Sequence, residues 1–247
     1  DREQLGPVAG AQLAVAAGRG FGVVASTELE FMTFDGSYDD VRRADYRDLA
    51  APSAADYSIM AGSRIEPLLR TIRNSAFAAG IDVGMIKTGR NPGQHGVSFV
   101  SQEAMTAADN HAVFKTMAKE IATQQGMSIT FLAAYDEQQG NACHVQLSLR
   151  AEDGSGALYH NHQRTWLDDC FLAGVIATLA DFTLFYAPNV NSYKRLRRGS
   201  SAPAPITSVA RVENRLPGAD VNLYLALAAM IAGGMYGIDH ELELGPA

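Results

Sequence analysis

The chain has 247 residues, of which 47% are hydrophobic and 19% charged, so it can bury a sizeable core and is too apolar to be disordered. Its 20 Lys and Arg against 27 Asp and Glu give a formal net charge of −7, which argues against a nucleic-acid partner because phosphate-binding surfaces are normally basic. Apolar runs are shorter than the roughly 18 residues of a membrane-spanning helix, so no membrane partner is expected. The two cysteines, Cys143 and Cys170, are too few for a disulfide framework, which favours a reducing compartment and a cytoplasmic location.

Hydrophobic periodicity predicts three regular elements in the first third of the chain. A helix is expected over residues 3–18 and a strand over 21–31. Residues 35–60 are rich in turn-forming residues and predict a long loop, a length that is usually functional or mobile. A second helix is expected over 65–79.

Strands and helices alternate along the rest of the chain. The pattern predicts two short strands around a turn over 82–100 and a long helix over 103–124. It also predicts strands near 128–133, 143–150 and 208–215, and buried helices over 166–182 and 222–236. Because several strands are joined by short turns, we expect an α+β fold with a mixed or antiparallel twisted sheet and helices on one side.

Three of the predicted strands have one polar face, because alternate residues of a strand point to the same side. The polar faces carry Glu28 and Glu30 in the first strand, His144, Gln146 and Ser148 in the second, and Arg211, Glu213 and Arg215 in the third. Carboxylates with an imidazole suit Mg²⁺ or Mn²⁺, and fixed arginines suit phosphate or carboxylate oxygens. If the strands are neighbours, these groups predict a metal-assisted phosphoryl-transfer surface.

Each strand taken alone also has a simpler interpretation. Two glutamates in alternation are commonly a solvated sheet face, and a lone histidine is more often structural than a ligand. The alternating arginines and glutamate of the third strand are also compatible with a surface salt-bridge ladder, which contributes little stability. Only the coincidence of the three strands favours a functional site.

Longer motifs extend across these residues and beyond them. They are Thr27–Phe31, Pro92–His95, Ala108–Lys115, Lys119–Glu120, Thr130–Phe131, Cys143–Leu149, Ala187–Arg195 and Ala210–Asp220. In these motifs the sequence resembles the catalytic domain of the glutamine synthetase family, most of all its branch of γ-glutamyl-polyamine ligases. The resemblance covers nearly all of residues 1–247, and it implies a catalytic-domain core without the family's N-terminal β-grasp domain and C-terminal portion.

The resemblance implies an ATP-dependent ligase that joins glutamate to ammonia or an organic amine through γ-glutamyl phosphate, with Mg²⁺ or Mn²⁺, and a homo-oligomer when complete. By matching position, the metal ligands would be Glu28, Glu30, His144 and Glu213. The ATP-binding residues would be His144, Gln146, Ser148, Arg211 and Arg215. Gly140 and Arg195 would bind the glutamate substrate, and Arg195 and Arg215 would be catalytic.

The sequence departs from the family's pattern at several of these positions. Gly96 stands where the family's Gly-Gln-x-Glu motif has a ligand carboxylate, and Thr88 or Gly89 stands at a second one. Gln146 stands where the family usually has a histidine. Because hard cations depend on carboxylate oxygens, we expect a weakened metal centre and an impaired enzyme.

Further departures follow the motif that ends at Arg195. Between Pro203 and Thr207 the chain lacks a segment in which the family keeps further ATP- and substrate-binding residues. Ser201 stands where the ammonia-using members have a glutamate, which favours an organic amine as acceptor, although a drifted loop of an inactive protein is an equal interpretation.

Two other function classes remain as alternatives. One is a catalytically inactive homologue or fragment that binds nucleotide or pairs with a partner subunit. The other is a nucleic-acid binder that uses the basic run Lys194–Arg198, which the acidic whole disfavours.

Overall fold

The computed structural model describes residues 2–47, 49–51, 59–135, 140–160, 163–196, 206–208 and 211–245. The helices within them are α1 (Arg2–Ala17), α2 (Tyr38–Arg43), α3 (Ile59–Ala78), α4 (Ala104–Gln124), α5 (Trp166–Ala177), α6 (Thr183–Tyr186), α7 (Val190–Arg195) and α8 (Leu223–Asp239). The strands are β1 (Gly22–Asp35), β2 (Val83–Thr88), β3 (Gln94–Phe99), β4 (Gln102–Glu103), β5 (Met127–Thr130), β6 (Cys143–Arg150), β7 (Tyr159–His160), β8 (Gln163–Arg164), β9 (Ile206–Ser208) and β10 (Val212–Asn214).

One antiparallel sheet organises the fold around the long strand β1. Its order is β2-β3-β1-β6-β10-β9, and the short strands β4 and β5 also pair with β1. Strands β7 and β8 form a separate two-stranded antiparallel sheet. Because β1 is 14 residues long, it can pair with β4 and β3 along one edge and with β6 and β5 along the other.

The apolar face of the sheet lies against helices, as alternation along the strands predicts. Leu29 and Phe31 of β1, and Val145 and Leu147 of β6, are fully buried in the hydrophobic core. Helix α4 contacts β1 and β5, and α8 contacts β6. The opposite face therefore carries the alternate, polar residues of the same strands. Among the residues that the structure describes, no helix is long and apolar enough to cross a bilayer.

The predicted α+β class and antiparallel sheet are confirmed, and strand β6 coincides with the predicted residues 143–150. Helix α4 begins as predicted because the Glu103 carboxylate caps it by accepting a hydrogen bond from the backbone N–H of Thr106 at 3.0 Å.

The predicted loop over 35–60 was only partly right. Strand β1 runs on to Asp35 because its last residues pair with β5. Helix α2 then lies inside the predicted loop, where the side chains of Ser37 and Asp40 form a capping box. The described part of α3 begins at Ile59, earlier than expected.

Three other boundaries differ from the sequence prediction. The helix predicted over 166–182 ends at Ala177, where Thr178 becomes its C-cap and donates a side-chain hydrogen bond to the carbonyl of Gly174. The strand predicted near 128–133 ends at Thr130, whose hydroxyl accepts a hydrogen bond from the backbone N–H of Leu132 at 3.2 Å. In place of the single strand predicted near 208–215, the structure has two strands, β9 and β10, which pair antiparallel with each other.

Candidate active site

Three side chains from three adjacent strands meet on the polar face of the sheet. Glu28 of β1 lies directly opposite His144 of β6, and Glu213 of β10 lies opposite Gln146, two residues along β6. His144 Nδ1 is 3.6 Å from Glu28 Oε2 and 3.2 Å from Glu213 Oε1. One ligand atom from each residue lies within 4.8 Å of the others. We call Glu28, His144 and Glu213 the three-residue cluster.

The two carboxylates and the imidazole of the three-residue cluster stabilise one another's charged forms. Contact with His144 holds the pKa of Glu213 at about 2 and lowers the pKa of Glu28. Burial disfavours the imidazolium form of His144, but its contacts with Glu213 and Glu28 outweigh burial and raise its pKa. Both carboxylates are therefore ionised at neutral pH, and the imidazole between them has an increased affinity for a proton.

The donor set of the cluster fits a divalent cation. Two carboxylate oxygens and an imidazole nitrogen are ligand types that Mg²⁺, Mn²⁺ and related ions accept. The Nδ1 atom of His144 is buried and faces both carboxylates, but neither contact is a well-aligned hydrogen bond. A cation at this position would replace the proton that the two carboxylates otherwise favour.

Glu30, the fourth predicted metal ligand, lies two residues along β1 and has different neighbours. Its Oε2 accepts a hydrogen bond from the backbone N–H of Ala142 at 2.7 Å and from Gln94 Nε2 at 3.3 Å. Burial raises its pKa, although the hydrogen bond from Ala142 opposes this. Its cross-strand partner in β3 is Gly96, which brings no side chain. Three of the four predicted ligands are thus together, and Glu30 is held in a separate network.

Gln94, which the sequence prediction did not include in the site, links Glu30 to the loop before β6. Its Nε2 donates to the carbonyl of Gly140 at 2.9 Å and lies 3.2 Å from Asn141 Oδ1. Gln94 shares a face of β3 with Gly96, and that alternation was the sequence signal that could have found it. Gly140 lies beside Arg195, and only glycine fits because a Cβ there would lie 2.2 Å from the carbonyl oxygen of Ala133.

Gln146 and Ser148, both predicted to bind ATP, have different surroundings. The buried Gln146 accepts a hydrogen bond from Ser26 Oγ at 2.8 Å, and its Nε2 lies 3.5 Å from Glu213 Oε1. Its amide thus orients Glu213 in the three-residue cluster. Ser148 lies on the same face of β6, about 13 Å from His144 at the usual rise per strand residue.

The arginines border the two carboxylate groups. Arg215 Nε is 3.9 Å from Glu213 Oε1, so its guanidinium lies beside the three-residue cluster. Arg195 donates from Nη2 to the backbone carbonyls of Arg215 and Leu216, and its charge acts on Glu30. Arg211 is exposed, immediately before β10. Ser201, Pro203 and the last two residues of the basic run, Arg197 and Arg198, lie outside the described residues.

An antiparallel sheet that presents carboxylates and an imidazole from adjacent strands, bordered by guanidinium groups, is typical of α+β domains that handle a divalent cation together with phosphate oxygens. Residues 7–247 match the family described as glutamine synthetase, catalytic domain, and the chain belongs to this family. Enzymes of the family generally use ATP and divalent metal ions.

The comparisons with individual proteins agree with this family and show how much of each relative the chain spans. The chain is 45% identical to γ-glutamylethanolamide synthetase GlnA4 from Streptomyces coelicolor, over 94% of this chain and 54% of that protein. It is 32% identical to a glutamate–isopropylamine ligase from a Pseudomonas species, over 91% of this chain and 54% of that protein. The chain thus spans about half the length of these curated relatives.

The fold also matches solved structures. A structure of GmaS in complex with ADP superimposes with a TM-score of 0.85 and 26% sequence identity, over 97% of this chain and 60% of the other. The match over almost the whole chain shows that the sheet and the helices behind it follow the family's catalytic-domain architecture.

Proposed function

We propose that the protein containing this chain joins an amine to the γ-carboxyl group of glutamate at the expense of ATP, with Mg²⁺ or Mn²⁺. The single observation that carries the proposal is the meeting of Glu28, His144 and Glu213 on the polar face of the sheet. The names of the relatives, which include ligases for ethanolamine, isopropylamine, methylamine and putrescine products, support the reaction class.

The reaction has two steps, in which atoms and charge balance. A γ-carboxylate oxygen of glutamate attacks the γ-phosphorus of ATP, which forms γ-glutamyl phosphate and releases ADP. The amine nitrogen then attacks the acyl carbon, phosphate leaves, and one proton is lost from nitrogen. Both steps place negative charge on phosphate oxygens, so the site needs fixed positive charge.

The residues around the cluster can supply that charge. Glu28, His144 and Glu213 would hold the divalent ion, which when bound neutralises phosphate oxygens. Arg215, beside Glu213, would contact the transferring phosphoryl group, and Arg195, near Glu30, would contact the carboxylate of glutamate. Gln146 keeps Glu213 in position. Gly140, which packs too closely against Ala133 to carry a side chain, would present its backbone to the glutamate beside Arg195. Ser148 and Arg211 would lie along the nucleotide.

An organic amine is the proposed acceptor rather than ammonia, and a reduced rate is expected. The acceptor is supported by the printed activities of the relatives and by Ser201 in place of a glutamate. The reduced rate follows from Gly96, which leaves Glu30 without a cross-strand carboxylate. We also propose a homo-oligomer and a cytoplasmic location, the latter supported by Cys143 and Cys170, which are buried free thiols.

The test is amine-dependent ATP cleavage by the full chain. Purified protein is incubated with glutamate, ATP, Mn²⁺ and one of ethanolamine, isopropylamine, methylamine, putrescine or ammonia, and the γ-glutamyl product is identified by mass spectrometry. We expect product with an organic amine at a rate below the usual enzyme median of about 10 s⁻¹, and none in the Glu213→Gln variant.

A non-catalytic role is the second candidate, supported by the same Gly96. In that case the chain binds Mn²⁺ and ATP but forms no product with any amine. Binding without turnover would therefore select the inactive homologue, and the absence of metal binding would overturn both functions.

A further inference from the structure

Lys87 lies in one row with Gly96 and Glu30 across three neighbouring strands. Lys87 of β2 is directly opposite Gly96 of β3, and Gly96 is directly opposite Glu30 of β1. Residues opposite each other in antiparallel strands point to the same face. Lys87 and Glu30 therefore lie on the same polar face of the sheet, separated by a position that has no side chain.

The side chain of Lys87 lies over that glycine. A Cβ atom built on Gly96 would be 3.5 Å from Lys87 Cε and 3.8 Å from Lys87 Cγ, which is ordinary van der Waals contact. The methylene groups of Lys87 thus run across the surface where a side chain at position 96 would begin. From this position the ammonium charge acts on both Glu30 and Glu28.

The adjacent row of the sheet has no such lysine. It consists of Met85, Ser98, Glu28 and His144, each directly opposite the next. In that row a carboxylate faces an imidazole, and Glu213 completes the three-residue cluster. The two rows thus differ in the groups they offer to a cation. The row of Glu28 contains ligand groups, whereas the row of Glu30 contains the positive charge of Lys87.

We propose that the ammonium group of Lys87 takes the place of a second divalent ion beside Glu30. The chain then binds one divalent ion, at the three-residue cluster, and none in the row of Glu30. The proposal rests on the proposed function only in assuming that the cluster takes a divalent ion. A lysine ammonium has three N–H donors and acts on phosphate as a point charge, so Lys87 would contact phosphate oxygens of the nucleotide directly.

The experiment counts bound ions rather than measuring activity. Mn²⁺ is titrated into the full chain by calorimetry, and the number of bound ions is checked by electron paramagnetic resonance of the free ion. The proteins are the wild type, Lys87→Met, Gly96→Glu and the double variant. Lys194→Met, which removes an exposed lysine of α7, is the matched control.

We expect one ion in the wild type, in both single variants and in the control. In Gly96→Glu the new carboxylate pairs with Lys87 and gains no ion. In the double variant the ammonium group is absent, so the new carboxylate and Glu30 can bind a second ion together. Replacing Lys87 by arginine instead of methionine in the Gly96→Glu background keeps the positive charge, so this variant should again bind one ion. If Lys87 had only a structural role, its charge would not change the number of bound ions.

The outcomes separate this proposal from the proposed function. No ion in the wild type overturns both. Two ions in the wild type, or a second ion in Gly96→Glu alone, overturns the role of Lys87 and leaves the three-residue cluster intact. One ion in a folded double variant also overturns the role of Lys87. Melting curves verify folding, which we expect because Lys87 is exposed and Gly96 has room for a Cβ.

Discussion

Glu28 and Glu30 are two residues apart on one strand and point to the same face, yet they belong to different kinds of site. Glu28 faces His144, and contact with this imidazole lowers its pKa. Glu30 faces Gly96, accepts hydrogen bonds from Ala142 and Gln94, and burial raises its pKa. The strand gives both residues the same direction, and the neighbouring strands decide what each carboxylate can do.

This difference shows how two carboxylates of one strand can belong to separate groups of side chains. The three-residue cluster draws its ligands from β1, β6 and β10, whereas the row of Glu30 depends on β3 and β2. A substitution at Gly96 of β3 therefore changes the row of Glu30 and leaves the ligands of the three-residue cluster in place. The following predictions test this independence.

The largest effect is expected in the three-residue cluster. Glu213→Gln removes a charged ligand, so the affinity for Mn²⁺ should fall by at least about 100-fold, the upper end of the loss caused by removing groups that support metal ligands. Calorimetric titration measures it. Glu120→Gln, on an exposed glutamate of α4, is the control and should bind Mn²⁺ like the wild type. If Glu213→Gln bound Mn²⁺ as tightly as this control, the metal would bind elsewhere.

The second prediction concerns His95, the buried residue that precedes Gly96 on β3 and packs against Phe31. Burial lowers the pKa of His95 to about 4 from an ordinary value of 6.5, so between these values the unfolded chain takes up a proton that the folded chain refuses. The contribution of His95 to stability is therefore fully present above pH 6.5 and is lost as the pH falls towards 4, at up to about 1.4 kcal/mol per pH unit.

Urea unfolding at a series of pH values measures this slope. His95→Phe keeps a ring against Phe31 and should flatten the slope by the share of one histidine. His111, whose pKa burial lowers to about 3, contributes in the same direction and remains in the variant. An unchanged slope in His95→Phe would show that His95 does not titrate as a buried group.

The two glycines near Glu30 should respond differently to alanine. A Cβ on Gly89 would lie 2.7 Å from Gln94 Cγ, so Gly89→Ala must displace the residue that bridges Glu30 and Gly140. We expect a loss of about 1–3 kcal/mol of unfolding free energy, the usual cost of overpacking. Gly96→Ala meets only ordinary contacts and should change stability by less than about 1 kcal/mol. Chemical denaturation compares the two, and equal effects would contradict the difference in packing.

The smallest effect is expected for Glu30→Gln. Because Glu30 lies in the row that Lys87 supplies with charge, the loss of Mn²⁺ affinity should be less than about 10-fold, the lower end of the range for supporting groups. The same titration tests it beside Glu28→Gln, which is the matched change in the three-residue cluster. A loss at Glu30 as large as that at Glu28 would mean that both rows hold the same ion.

The sequence by itself determined which residues share a face and which segments are strands. Alternation in β1 and β6 placed Glu28 and Glu30 together and His144 and Gln146 together, because the side-chain period of a strand is two. The motifs also determined the family. These are local properties, which depend only on residues a few positions apart.

Only the tertiary structure decided which of these polar residues meet. Pairing register joins positions far apart in the chain, such as Glu28 with His144 and Glu30 with Gly96, and periodicity does not report it. The separation of Glu30 from the cluster, the bridge made by Gln94 and the placement of Lys87 over Gly96 all follow from that register. A strand pattern specifies the direction of a side chain, but its neighbours across the sheet specify its chemistry.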